Sequence, residues 1–372
     1  MKKKKIILVV GARPNFMKVA PVLAAIKEHA SGRFEALLVH TGQHYDVNMS
    51  DVFFADLGMP QPDRFLGVGS GSHAEQTGRV MIEMERLFTQ ENPDLVMVAG
   101  DVNSTLATAI VAAKAGIKLA HIESGLRSFD RTMPEEINRI VADEFSDLCF
   151  VTEPSGITNL RHEGIEESRI FYVGNTMIDS IVAHRAKAQS IFSELRSQFG
   201  ITNKNYALAT LHRPSNVDEK ENLNILVGLF EQLRPFAPKI IFPVHPRTRK
   251  KLEEFQLSER VGKISGLMLI DPLGYLPFLA LQDNAAVVLT DSGGIQEETT
   301  ALGVPCITIR ENTERPVTIE VGTNEMTGLD TAKIISLTKR AFEGSWKSAS
   351  VPELWDGKAA VRIAGVIDKF LN

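Results

Sequence analysis

His121-Ile-Glu-Ser-Gly-Leu-Arg-Ser-Phe-Asp-Arg-Thr-Met-Pro-Glu-Glu-Ile-Asn-Arg139 decides how this chain is to be read. It continues the apolar run Ala115-Gly-Ile-Lys-Leu-Ala-His-Ile122 and crowds carboxylates and guanidiniums into the segment that follows. Such a run has the profile of a buried strand, and open α/β sheets place their ligands beyond the carboxyl ends of strands. Glu123 and Ser124 stand at that end. Pro134-Glu135-Glu136 then predicts a helix start, because proline suits the first helical position and early acids complement the positive end of the helix dipole. For Glu135 and Glu136 this helix-start role competes with chemistry. For Glu123, nothing about a strand-to-loop passage asks for an acid.

Working outward, short apolar runs at 6–10, 34–40, 94–99, 117–122, 147–152 and 170–173 alternate with helix-length amphipathic segments. That alternation is the pattern of a parallel sheet covered by helices. A second series follows at 206–211, 239–244, 267–270, 286–289 and 306–309. The chain therefore reads as two α/β, Rossmann-like domains, 1–177 and 178–372, with the last helix free to pack back on the first. The stretch 61–78, rich in Gly and Ser, reads as a long surface loop.

At 372 residues the chain exceeds what one core usually organises, and 44% hydrophobic residues suit a fully globular protein. A net charge of −5 gives no global attraction to nucleic acid or to an anionic membrane. No apolar run approaches a membrane span, and Ile6–Val10 is too short for a signal-peptide core. Cys149 and Cys306 both fall in apolar strand-like runs, which suits inert thiols in a reducing cytoplasm and argues against a cysteine metal site.

Asp291-Ser-Gly-Gly-Ile-Gln-Glu-Glu298 follows the strand-like Val-Val-Leu-Thr. Its glycines allow a ligand close to the backbone at a helix start, where free amides favour a phosphate. Ser292 adds a hydroxyl, and Glu298 about one turn on can accept two hydrogen bonds from a vicinal diol. The plain alternative is a strand-to-helix turn with Asp291 as its cap. Gly11-Ala-Arg-Pro-Asn15 has the same placement, with Arg13 able to grip an anion. Asp101 also follows an apolar strand, and alone it could simply cap the next helix. Gly11, Gly42, Gly100 and Glu123 all end strands of one predicted sheet, so Arg13, His44, Asp101 and Glu123 are expected to converge on one crevice. His212 and His245 end the first two strands of the second series, without metal-ligand spacing. Glu314-Arg315 has a surface ion pair as its ordinary reading. No Gly-x-Gly-x-x-Gly supports a nicotinamide cofactor.

Taken together, Gly-Ala-Arg-Pro, Thr-Gly-Gln-His, Gly-Asp-Val-Asn-Ser-Thr, His-Ile-Glu-Ser-Gly-Leu-Arg, Pro-Glu-Glu-Ile-Asn-Arg, Pro-Val-His-Pro and Asp-Ser-Gly-Gly-Ile-Gln-Glu-Glu resemble the non-hydrolysing UDP-N-acetylglucosamine 2-epimerases. The resemblance runs from Gly11 to about Gly322. It implies a GT-B-like fold of two Rossmann-like domains facing an interdomain cleft. The implied reaction interconverts UDP-N-acetylglucosamine and UDP-N-acetylmannosamine through elimination of UDP to 2-acetamidoglucal and re-addition. Asp101, Glu123 and Glu135 match the family's acidic catalytic positions, and His212 its histidine. Arg13, Ser292, Gly293 and Gly294 would hold the diphosphate and Glu298 the ribose. Arg315 and His245 would contact the nucleotide, and Phe278 would lie near the uracil, though a core role suits that aromatic about equally. The family needs no metal or redox cofactor and commonly forms homodimers.

The chain also departs from the bacterial pattern. His212-Arg-Pro-Ser-Asn216 stands where many members have His-Arg-Arg-Glu-Asn, and the loop Gly67–Thr77 differs from the one that helps bind a second, activating UDP-N-acetylglucosamine. Gln43 and His44 of that allosteric set remain, so weak or absent substrate activation is expected. Phe129-Asp-Arg-Thr-Met also occurs in relatives acting on modified sugars, such as UDP-diacetamido-glucuronate 2-epimerases. A hydrolysing 2-epimerase, a GT-B glycosyltransferase and a catalytically silent nucleotide-sugar sensor are the remaining alternatives.

Overall fold

In a computed structural model, residues 3–29, 32–42 and 58–372 are described, with the side chains of Arg13, Pro14 and His29 left aside. The chain divides into two units, Met1–Ala183 with Glu353–Asn372, and His184–Pro352. The expected boundary at 177/178 falls inside the helix Thr176–Phe199. A continuous helix carries the chain from one unit to the other, so composition gives no break to mark the change.

The first unit holds β1 (Lys4–Val10), β2 (Phe34–His40), β3 (Arg64–Phe65), β4 (Leu95–Ala99), β5 (Lys118–Ser124), β6 (Leu148–Val151) and β7 (Ile170–Tyr172). They form one parallel sheet in the order β3-β2-β1-β4-β5-β6-β7. All five residues of β4 are buried, as the apolar run required. The direction of winding changes between β1 and β4, and that switch point opens a crevice at the carboxyl ends.

Stretch 61–78 is more than a surface loop. It contributes the edge strand β3, and Ser72 caps the helix His73–Glu91 through a reciprocal capping box with Glu75. Two short strand residues give too little period to read, whereas Ser-x-x-Glu was a legible helix start. Pro21 lies inside the helix Arg13–His29, where it cannot supply an amide to the carbonyl of Met17. The Ser180 hydroxyl donates to that carbonyl instead, at 2.5 Å.

The returning C-terminal segment completes this unit. The helix Ala359–Phe370 packs on the helix Arg13–His29, and the Asp179 carboxylate accepts from the amides of Ala359 and Ala360 at 3.1 and 2.7 Å. Trp355 Nε1 donates to the Thr152 carbonyl at 2.9 Å. Gly174, at φ 84°, packs against the backbone of Leu354.

The second unit repeats the plan with β8 (Ala207–Thr210), β9 (Ile240–Pro243), β10 (Leu267–Ile270), β11 (Val287–Thr290), β12 (Cys306–Thr308) and β13 (Asn324–Met326). Their parallel order is β10-β9-β8-β11-β12-β13, so the switch point lies between β8 and β11. β13 was not foreseen, because Asn-Glu-Met carries no apolar run. Its Asn324 is buried and paired to Thr308, Gln296 and Thr318. No described helix is long and apolar enough to cross a membrane.

Candidate active site

At the first switch point, Gly11 and Gly100 follow β1 and β4; Gly11 has no room for a side chain, and Gly100 is crowded and takes a left-handed φ of 65°. A Cβ at Gly11 would lie 2.8 Å from Cβ of Ser104, and one at Gly100 would lie 3.0 Å from Lys18 Nζ and 3.4 Å from Glu123 Oε2. Lys18 and Glu123 form an ion pair, and both are almost fully buried. Asn15 fixes the turn between them. Its side-chain oxygen accepts from the amides of Gly11 and Ala12 at 3.2 and 3.1 Å, and its Nδ2 donates to the Ala99 carbonyl at 2.8 Å.

Glu123 has φ 76°, in the left-handed region, and sits where the pairing of β5 with β6 slips between Ile122 and Ser124. A bulge re-aims the side chain of the residue it carries. The left-handed conformation costs a non-glycine residue about 1–2 kcal/mol, so the surrounding structure must enforce it.

The cap position of the helix Asn103–Ala115 is Val102, with no side-chain capping bond, and Asp101 stands one residue before it. The Asp101 carboxylate accepts from Arg139 Nε at 3.0 Å and Nη2 at 2.9 Å, and it stays partly open to solvent. The other end of Arg139 pairs with Glu136. Glu136 accepts from the Ser128 amide and hydroxyl at 3.0 and 3.1 Å and from the Phe129 amide at 2.9 Å. It is therefore a loop anchor as well as an acid in the first turn of its helix. Glu135, half-buried in the first turn of the same helix, has no hydrogen bond or ion pair among the described residues. The side chain of Arg13 and the whole of Gln43 and His44 lie outside the described residues.

The second switch point is organised by Asp291. This buried carboxylate accepts from the His212 amide at 2.9 Å, the Arg213 amide at 2.9 Å and Asn216 Nδ2 at 3.0 Å. Ser292, not Asp291, occupies the cap position of the helix Gly293–Leu302, without a side-chain capping bond. His212 Nδ1 lies 3.2 Å from Asp291, and its ring centroid is 5.5 Å from that of His245. Burial lowers the His212 imidazole below its ordinary value, with Arg213 and Arg247 adding to the effect and Asp291 opposing it. A neutral imidazole suits proton acceptance. His245 is exposed, and its Nδ1 accepts from the Arg247 amide at 3.2 Å.

Glu314 and Arg315 are not a surface pair. Both are buried and bonded to each other, with Arg315 Nε also 2.9 Å from Glu297 and Arg310 Nη2 3.0 Å from Glu314. They explain Gly293, where a Cβ would lie 2.5 Å from Arg315 Nη1 and 2.7 Å from Glu314 Oε1. Arg315 is thereby held against the helix start at Ser292, Gly293 and Gly294, where the Ser292 amide donates to Thr290 Oγ1 at 3.0 Å. Within that helix Glu298 is buried, and burial pushes its carboxyl up to about 8, with Glu297 adding and Gln282 opposing. Phe278 is half-buried near the start of the helix Tyr275–Asn284.

The family profile described as UDP-N-acetylglucosamine 2-epimerase matches residues 25–368. The chain belongs to the UDP-N-acetylglucosamine 2-epimerase family. Within it, the chain is 43% identical over 368 residues to the UDP-N-acetylglucosamine 2-epimerase of Methanocaldococcus jannaschii, covering 98% of each chain. It is 39% identical to the UDP-2,3-diacetamido-2,3-dideoxy-D-glucuronate 2-epimerase of Pseudomonas aeruginosa, covering 98% of this chain and 99% of that one. The crystal structure of the Methanocaldococcus jannaschii UDP-GlcNAc 2-epimerase in complex with UDP-GlcNAc and UDP matches with a TM-score of 0.88 at 42% identity, over 98% of this chain and 99% of that one. The fold class expected from the sequence, α/β with two Rossmann-like units of the GT-B-like kind, is the class these 2-epimerases share. Sequence reasoning passed over Lys18 in this family member, although Asn15 and Lys18 stand three apart at a helix start and so share the face toward the strand ends.

Proposed function

We propose that the protein interconverts UDP-N-acetylglucosamine and UDP-N-acetylmannosamine without net hydrolysis. No carbonyl adjacent to C2 acidifies its proton, so direct deprotonation is slow and elimination offers the route. The C2 proton passes to a base, the C1–O bond to UDP breaks, and C1=C2 forms in 2-acetamidoglucal. The UDP oxygen then returns to C1 while a proton reaches C2 from the opposite face, so atoms and charge balance. This chemistry asks for proton-transfer groups about C2 and for firm stabilisation of the departing diphosphate.

In this reading Asp101, Glu123, Glu135 and His212 serve proton transfer. Arg13, Ser292, Gly293 and Gly294 bind the diphosphate, Glu298 the ribose diol, Arg315 and His245 the nucleotide, and Phe278 the uracil. The carrying observation is Glu123, an acid in a left-handed conformation at the end of a central strand and paired with buried Lys18. Strain of this kind clusters at functional sites. The enzyme would work as a cytoplasmic homodimer supplying precursors of surface polysaccharide.

A second reading is favoured by the 39% identical relative that is a UDP-2,3-diacetamido-2,3-dideoxy-D-glucuronate 2-epimerase. In that case the same elimination acts on a sugar changed at C3 and C6. Proton NMR of UDP-N-acetylglucosamine with the enzyme in deuterated water tests both. Deuterium at C2 in a mixture of the two UDP-sugars is the expected result. An unchanged spectrum, with turnover of the 3-acetamido uronate analogue, supports the second reading, and accumulation of free UDP with N-acetylmannosamine overturns the non-hydrolysing assignment.

A further inference from the structure

Asp143 lies in the last turn of the helix Pro134–Phe145, at the negative end of the helix dipole, where local structure disfavours an acid. It is fully buried, so its place there is set by tertiary partners. Its Oδ1 meets His121 Nδ1 at 2.6 Å. Its Oδ2 accepts from the Gly125 amide at 3.0 Å and from Arg127 Nη2 at 2.7 Å. Burial pushes this carboxyl up, but His121, Arg127 and the Gly125 amide outweigh burial and hold it below the usual carboxylate range.

His121 and Gly125 stand two residues before and two residues after Glu123. One buried carboxylate thus grips both sides of the bulge in which Glu123 takes its left-handed φ. Gly125 is itself left-handed, with φ 81°, and a Cβ there would lie 2.7 Å from Cα of Gly156, so the chain is closely confined on that side. On the other side of His121, Nε2 donates to the Gly100 carbonyl at 2.8 Å. Gly100 precedes Asp101 and lies beneath the Lys18–Glu123 pair.

We propose that Asp143 is a positioning residue for the reaction, clamping the Glu123 bulge directly and the backbone beside Asp101 through His121. This rests on the reading of Glu123 and Asp101 as proton-transfer groups. Asp143 touches neither, and it acts by fixing where they stand. A displacement of about 1 Å at such groups costs on the order of 100-fold in rate.

Asp143→Ala removes all three contacts, whereas Asp143→Asn can keep them. Its amide oxygen accepts from Gly125 and Arg127, and its amide nitrogen donates to Nδ1 of a neutral His121 whose Nε2–H still reaches Gly100. The expected outcome for Asp143→Ala is a kcat about 100-fold lower with KM within about threefold, and for Asp143→Asn a kcat within about fivefold of the unaltered enzyme. Equal kcat in Asp143→Ala and the unaltered enzyme overturns the proposal, as does a loss in Asp143→Asn as deep as in Asp143→Ala.

Amide hydrogen exchange across residues 122–127 gives a readout independent of turnover, and it should quicken in Asp143→Ala only. Unchanged exchange overturns the clamp whatever the activity. An unaltered enzyme that turns over neither UDP-sugar while exchange behaves as expected overturns the functional reading instead. Should Asp143→Ala fail to fold, His121→Asn severs only the tie to the Gly100 carbonyl, because its amide nitrogen takes the place of Nδ1. A tenfold fall in kcat at unchanged KM is then expected, and no fall overturns the proposal.

Discussion

Glu123 shows how one residue can carry more information than its neighbourhood suggests. An acid has no intrinsic reason to adopt a φ of 76°, yet here it does so against a buried lysine. On the proposed mechanism, Asp101→Asn, Glu123→Gln and His212→Asn each lower kcat by on the order of 100-fold or more in a coupled steady-state assay, with circular dichroism unchanged. Near-normal turnover in all three would remove the assignment. Gly100→Ala forces a left-handed φ of 65° on alanine and brings a Cβ to 3.0 Å from Lys18 Nζ. It should therefore lower both melting temperature and kcat, and a variant as active and as stable as the original would show that the crowding is harmless.

At the scale of elements, the helix Gly293–Leu302 joins tight packing to the nucleotide-binding role proposed for its start. Gly293→Ala drives a Cβ into the buried Glu314–Arg315 pair, and overpacking of this kind costs about 1–3 kcal/mol. Isothermal titration with UDP should then show affinity lower by about tenfold or more. Full affinity would separate the helix start from nucleotide binding. Within the same helix, the Glu298 carboxyl is raised from 4.5 to about 8 by burial. The folded state holds a proton that the unfolded chain releases across this window. This contribution to stability is therefore complete at pH below about 4.5 and is lost as pH rises to about 8. Glu298→Gln should flatten that part of the dependence of melting temperature on pH, and parallel curves for the two proteins would contradict the account.

For the whole molecule, the return of Glu353–Asn372 to the first unit is the decisive feature of chain path. Asp179 holds it by accepting from two amides at the start of the last helix. Asp179→Ala leaves those buried donors without their acceptor, at a cost of about 1–3 kcal/mol, and calorimetry should record a lower melting temperature while UDP affinity is unchanged. An unshifted transition would mean that packing alone secures the helix. The sequence by itself determined the two series of parallel strands and the strand-end places of Asp101, Glu123, His212 and Ser292. These follow from local rules: apolar runs bury on both faces, and loops after strands carry ligands. It could not determine that Glu136 anchors the Ser128–Phe129 loop, that Lys18 pairs with Glu123, or that Asp143 grips both flanks of Glu123. Nor did it yield the short strands β3 and β13, whose two and three residues show no period. Only the tertiary structure decided these, because each depends on groups far apart in the chain meeting in a space from which water is excluded, where a buried charge must find partners wherever the fold brings them.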